Sequence, residues 1–179
     1  MISYKDLKKN LKKDKSMLPT IKVALLGDTA TQFLATAIKG YGIEYGYNID
    51  LFEAEYNQIE RQFLDPTSDL FRFDPQFIVV FQSTHKLNEK FSSLDAQDQL
   101  SLAKDRINFI TEIFNLTKAK IIYFNYPEIE DSVFGSYQNK LPQSFVFQVR
   151  KLNYELMQLS EKEQNFFVCD LSAIQNKYG

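Results

Sequence analysis

Apolar and polar positions follow two periods along this chain. Short apolar runs recur at Ile21–Leu26, Phe77–Phe81, Ile121–Phe124 and Phe166–Cys169, Tyr47–Phe52 alternates as a strand does, and apolar residues at helical spacing lie between them. Ile21–Leu26 is apolar on both faces, the pattern of a parallel strand covered from both sides, and Phe77–Phe81 is the most apolar run and the candidate for mid-sheet. After the first strand, Gly27-Asp28-Thr29 turns into a helix of Phe33, Leu34, Ala37 and Ile38, with Gly40 and Gly42 expected to end it. A short helix from Tyr56 to Leu64 is expected to stop at Asp65-Pro66, a long one to run from about Leu94 to Leu116, and another from near Pro142 to about Ser160. Strands separated by crossover helices predict a three-layer α/β/α sandwich around a five-stranded parallel sheet.

Length and composition support one such domain. The 179 residues are 44% hydrophobic, with sixteen Phe, ten Tyr and no Trp. The exception lies at the start, where Lys5, Lys8, Lys9, Lys12, Lys13 and Lys15 surround Leu7 and Leu11 at helical spacing. Residues 1–18 are therefore expected to be a basic helix docked by its leucines on an α/β domain of residues 19–179. A net charge of −2 gives no electrostatic footprint for nucleic acid. No apolar stretch approaches the ~20 residues of a membrane span, and the Lys-rich start lacks the apolar core of a signal peptide. A single cysteine, Cys169, makes no internal disulfide, so the cytoplasm is the expected compartment. The chain stops a few residues after its last strand, as a piece of a longer protein would.

In open parallel sheets ligands gather at the carboxyl ends of the strands, where strand order reverses. Here those ends are Gly27-Asp28-Thr29, Glu55-Tyr56-Asn57, Gln82-Ser83-Thr84-His85, Asn125-Tyr126-Pro127 and Asp170. Neither G-x-G-x-x-G nor G-x-x-x-x-G-K-[ST] occurs, and the Asp28-Thr29-Ala30-Thr31 turn lacks the interior glycine of a flavodoxin phosphate loop. One His and one Cys cannot supply a zinc ligand set, so no metal is expected, although Asp28 and Asp170 could share magnesium with a phosphate.

The Gly27-Asp28-Thr29 order, opening a helix after the first strand, resembles the first block of the SGNH (GDSL-like) hydrolases, with Thr29 in the place of the nucleophilic serine. Gln82-Ser83-Thr84-His85 stands where that family has Gly-x-Asn-Asp. The closing Asp-x-x-His is absent, since His85 is the only histidine and follows the third strand. Asn57, Leu64-Asp65-Pro66-Thr67-Ser68-Asp69-Leu70-Phe71, Pro75-Gln76-Phe77-Ile78-Val79-Val80, Asn125-Tyr126-Pro127, Phe134-Gly135 and Gln148-x-x-x-Leu152-Asn153 together resemble the N-terminal domain of FkbH-like proteins. That resemblance spans Ile21 to Asp170. It implies a flavodoxin-like, SGNH-hydrolase-like fold followed in the same polypeptide by a haloacid-dehalogenase (HAD) domain. In the family that HAD domain carries Asp-x-Asp and Mg²⁺, which this chain lacks, so no cofactor is expected here. An acyl carrier protein is the other implied partner, in polyketide or surface-polysaccharide biosynthesis.

The candidate catalytic residues are thus Thr29, Asp28 and His85, and the candidate binding residues are Gly27, Asn57, Gln82, Ser83, Thr84 and Asn125. Each has a structural alternative. Thr29 is a nucleophile or a helix N-cap, and Asp28 an orienting acid or a turn residue. His85 is a displaced base or a surface-loop histidine, and Asn57 and Asn125 are oxyanion donors or loop braces. Cys169, beside Asp170, reads as an inert apolar cysteine. Two functions follow: a domain that binds an acyl, glyceryl or carrier-linked group, with acyl transfer or ester hydrolysis through Thr29 if it is catalytic, or a degenerate docking module for the HAD domain or carrier.

Overall fold

The computed structural model of the chain describes residues 2–129 and 133–178. Five strands, β1 (Thr20–Gly27), β2 (Asn48–Glu53), β3 (Phe77–Phe81), β4 (Lys120–Phe124) and β5 (Phe166–Cys169), form one parallel sheet in the order β2-β1-β3-β4-β5. The sandwich expected from the sequence is the one observed, with β3 central. Strand order reverses between β1 and β3, which run in register from Val23 opposite Phe77 to Gly27 opposite Phe81. Residue contacts group into two compact units, 1–81 and 82–179.

In the first unit, α1 (Tyr4–Asn10) is opened by Ser3, whose side chain accepts from the Asp6 N–H. Its Leu7 is buried, and Asn10 Nδ2 donates to the Gly40 carbonyl and Glu44 on α2 (Gln32–Glu44). The basic helix is seated on α2 through Leu7 and Asn10, but it ends at Asn10, well short of residue 18, and Leu11, expected to help dock it, is only its half-buried C-cap residue. Gly40 and Gly42, expected as helix stops, lie inside α2 instead. A Cβ at Gly40 would come within 2.7 Å of Leu7 Cβ and 2.8 Å of its carbonyl, and one at Gly42 within 2.3 Å of Ile49. These glycines serve close packing, and α2 ends against Gly46, whose φ of 81° takes the chain into the left-handed region.

The helix expected from Tyr56 begins later, as α3 (Ile59–Leu64), because Asn57 has a φ of 58°, outside helical geometry. The short α4 (Asp69–Phe73) follows the Asp65-Pro66 break. Val23–Leu26 and Ile78–Val80 are buried on successive positions, as strands covered on both faces must be, and Phe63 of α3 and Leu70 of α4 are buried as well.

In the second unit the expected loop after β3 is a helix, α5 (Thr84–Ser92). Its buried Thr84, Leu87 and Phe91 recur at helical spacing among charged residues, a period too short to stand out in the sequence. The two long helices are close to expectation. Asp95 caps α6 (Ala96–Asn115) by accepting from the N–H groups of Gln97 and Asp98, and Ser144 caps α7 (Phe145–Lys162) by accepting from that of Phe147. Gln148, 1% exposed, ties the two together: its Oε1 accepts from the Ala103 N–H of α6 and its Nε2 donates to the Pro142 carbonyl. A 3-10 turn (Gly135–Lys140) precedes α7, and α8 (Leu171–Tyr178), not expected from the sequence, follows β5. Among the described residues no helix is long and apolar enough to cross a membrane.

Candidate functional site

The turn after β1 is built by its neighbours. A Cβ on Gly27 would meet the Thr31 methyl at 2.5 Å, so only glycine lets Thr31 fold back over the strand end. Thr31 is buried and its hydroxyl donates to Glu53 Oε1 at 2.5 Å, joining the carboxyl ends of β1 and β2. The residue at the N-cap position of α2 is thus Thr31, not Thr29, and its side chain makes no capping bond. Thr29 is half-buried two residues earlier, which leaves its helix-capping alternative without support. Asp28 is 7% exposed, and its N–H continues the ladder to the Phe81 carbonyl. Asn57 is drawn in through its backbone N–H, which donates to the Gly27 carbonyl at 3.3 Å. Within the first unit, then, Gly27, Asp28, Thr29 and Asn57 come together, held by Thr31 and Glu53.

The second unit distributes its candidates differently. Ser83 is the N-cap residue of α5 and Thr84 its buried first residue; Thr84 Oγ1 has no hydrogen-bond partner among the described residues. His85 is exposed on the first turn of that helix rather than in a loop. Asn125, 8% exposed, has its amide committed at both ends. Its Nδ2 donates to Asp170 Oδ1 at 2.8 Å, while its Oδ1 accepts from the N–H groups of Leu171 and Ser172. Asp170 in turn accepts from the Ala173 N–H, and this bond, then the Asn125 amide, holds its carboxyl below the usual range. Asn153 on α7 clamps the next peptide by accepting from the Tyr126 N–H and donating to its carbonyl. Burial, then the neighbouring Asp170, push the Cys169 thiol up.

Gln82 has the least expected surroundings. Its Oε1 accepts from Arg106 Nη2 at 2.5 Å, from the Tyr123 hydroxyl at 2.5 Å and from the Tyr126 hydroxyl at 3.0 Å, and the two hydroxyls lie 2.7 Å apart. Burial would lower the Arg106 guanidinium, but Tyr126 and Tyr123 beside it outweigh that and hold it above its ordinary value. Complete burial pushes the Tyr126 phenol well above its own. Arg106, Tyr123, Tyr126 and Asn153 were not legible as a cluster in the sequence. The one signal was an arginine on the otherwise apolar side of a long helix.

An open parallel domain of order 2-1-3-4-5, with polar strand ends held largely by side-chain braces, is the class that fold and site define. A family model for the FkbH N-terminal domain matches residues 22–179, and the chain belongs to that family. Among solved structures, the N-terminal part of the protein BF1531 from Bacteroides fragilis, described as containing a phosphatase domain complexed with Mg, matches with a TM-score of 0.98 and 53% identity. The alignment covers 100% of this chain and 48% of that one, so this chain spans about half of its solved relative. No curated protein matches the chain.

Proposed function

We propose that this chain is the N-terminal partner of a HAD-type phosphatase domain in the same polypeptide, and that it holds an acyl, glyceryl or carrier-linked group without hydrolysing it. The binding face is the turn at Gly27-Asp28-Thr29 with Asn57, SGNH-like in layout. The phosphatase domain supplies Mg²⁺ and the phosphoryl chemistry, and the protein works in the cytoplasm in polyketide or surface-polysaccharide assembly. One observation carries the non-hydrolytic part: Asn125, the oxyanion-donor candidate, spends its amide on Asp170, Leu171 and Ser172, with Asp170 Oδ1 shared between Asn125 and the start of α8. The pair braces a loop, so the Asn125 amide is not on offer to a developing oxyanion.

The test is calorimetric titration of the chain with an acyl carrier protein bearing a glyceryl or acyl thioester, alongside an assay for thioester hydrolysis. Saturable binding without turnover, weakened severalfold by Thr29→Ala, is the expected result. Turnover that Thr29→Ala abolishes would replace binding with acyl transfer.

A second reading, pure docking, has its own observation. Tyr154 and Met157 on α7, Phe167 on β5, and Ile174 and Tyr178 on α8 are each at least 45% exposed. Binding of a separately expressed phosphatase domain, with no response to any loaded carrier, would favour it.

A further inference from the structure

The segment most distinctive of the sequence, Asp65 to Leu70, lends Asp65, Thr67, Ser68 and Asp69 to a cleft that reaches the site above only through Glu53. Asp65 Oδ1 accepts from the Thr67 N–H at 2.8 Å and its hydroxyl at 2.7 Å, and Arg72 donates twice to the Thr67 carbonyl, from Nε at 2.8 Å and Nη2 at 2.6 Å. Ser68 Oγ donates to the Gln62 carbonyl, and Gln62 Oε1 accepts from the Leu70 N–H. The wall is therefore fixed before any ligand arrives. It borders a cavity of about 440 Å³ that runs to Glu53 and Glu55 at the carboxyl end of β2, within the size range of small-molecule sites.

Gln62 is 6% exposed and lines this cavity, and its Nε2 donates to no protein group among the described residues. With Oε1 taken by the Leu70 N–H, the amide is held in one orientation and Nε2 is left open to the cleft, so a ligand acceptor there meets a positioned donor. Opposite in character are two carboxylates with one oxygen each in use. Glu53 Oε1 takes the Thr31 hydroxyl and Glu55 Oε2 takes Gln58 Nε2, leaving Glu53 Oε2 and Glu55 Oε1 as acceptors. The charge balance selects the ligand. Glu53, Glu55, Asp65 and Asp69 outnumber Arg61 and Arg72, which disfavours phosphate, and no group of three metal-ligating side chains occurs among the described residues. A hydroxyl both donates and accepts, so adjacent hydroxyls can give to a carboxylate while receiving from an amide or guanidinium.

We propose that the cleft at the carboxyl end of β2 is a binding site for a neutral polyhydroxy compound of about one sugar ring, with Gln62 as donor and Glu53 and Glu55 as acceptors. It extends the binding role above and rests on the cleft alone, so it stands or falls separately from Thr29 and any carrier.

The test is an amide chemical-shift titration of the chain with methyl glucoside and with glycerol, and with inorganic phosphate and putrescine as charged competitors. Saturable shifts confined to residues 52–72 are expected with the polyols. Gln62→Glu keeps an oxygen for the Leu70 N–H while removing the donor, and Glu55→Ala removes an exposed acceptor. Each should weaken polyol binding about tenfold, the worth of one hydrogen bond. If Gln62→Glu does not fold, Glu55→Ala decides. No saturable polyol shift, shifts unchanged in the folded variants, or a response to phosphate or putrescine in place of the polyols would overturn the proposal.

Discussion

Gln82 gathers three donors on one oxygen, and that makes it more consequential for folding than any of the candidate nucleophiles. Gln82→Leu would leave the Tyr123 and Tyr126 hydroxyls and one arm of Arg106 without this acceptor in a buried place. Neutral bonds of this kind are worth about 1 kcal/mol and charged ones about 2, so a loss of about 2–4 kcal/mol is expected in urea unfolding. Thr29→Ala, at a half-buried turn position, should stay within about 0.5 kcal/mol. Equal effects of the two substitutions would show that the buried cluster contributes little. The same contrast marks how far single residues could be read in the sequence. That Asn125 and Asn57 stand at strand ends was legible from their places after apolar runs. That Asn125 braces Asp170 and Asn57 takes a left-handed backbone was not, because both depend on what the folded chain places opposite them.

Helix α2 shows the matching limit among elements. Two glycines at positions 40 and 42 are sequence signals for a helix end, and by propensity replacing one with alanine inside a helix gains about 1 kcal/mol. At Gly40 the packing term opposes this, since the added Cβ meets Leu7 backbone as well as its side chain, and overpacking costs about 1–3 kcal/mol. Gly40→Ala should therefore destabilise the chain by about 1–2 kcal/mol and speed proteolytic cleavage within the first 15 residues, measured by urea unfolding and limited digestion. A gain in stability with unchanged digestion would mean that α1 shifts freely. Strands were the better predicted elements: continuous burial of β1 on both faces leaves an unbroken apolar run, while α5, with three buried residues among charged ones, and α8, with none, leave almost no pattern.

For the molecule as a whole, the response to acid follows from carboxylates that the fold has committed. Asp170 is held low by the Ala173 N–H and Asn125, Glu128 by the Arg150 guanidinium, and Asp65 by the Thr67 hydroxyl and N–H. Each folded value lies below its unfolded one near 4, so the stability they add is complete above that range and drains away as pH falls through the folded values. The urea midpoint should hold steady from neutrality to about pH 5 and fall between about pH 4 and pH 2, with a shallower fall in Asp170→Asn. A midpoint unchanged down to pH 2 would show that these bonds form equally in the unfolded chain. The parallel sheet with its third strand in the middle, and the family, were legible because they rest on many residues at once, whereas the cleft beside Gln62 surfaced only in three dimensions. Gln148 adds something different, because its side-chain oxygen receives the Ala103 N–H of α6 from across a helix boundary. That amide, already inside α6, gains a second acceptor only while α7 stays docked, so the excess of its protection over its helical neighbours reports the parting of the two long helices.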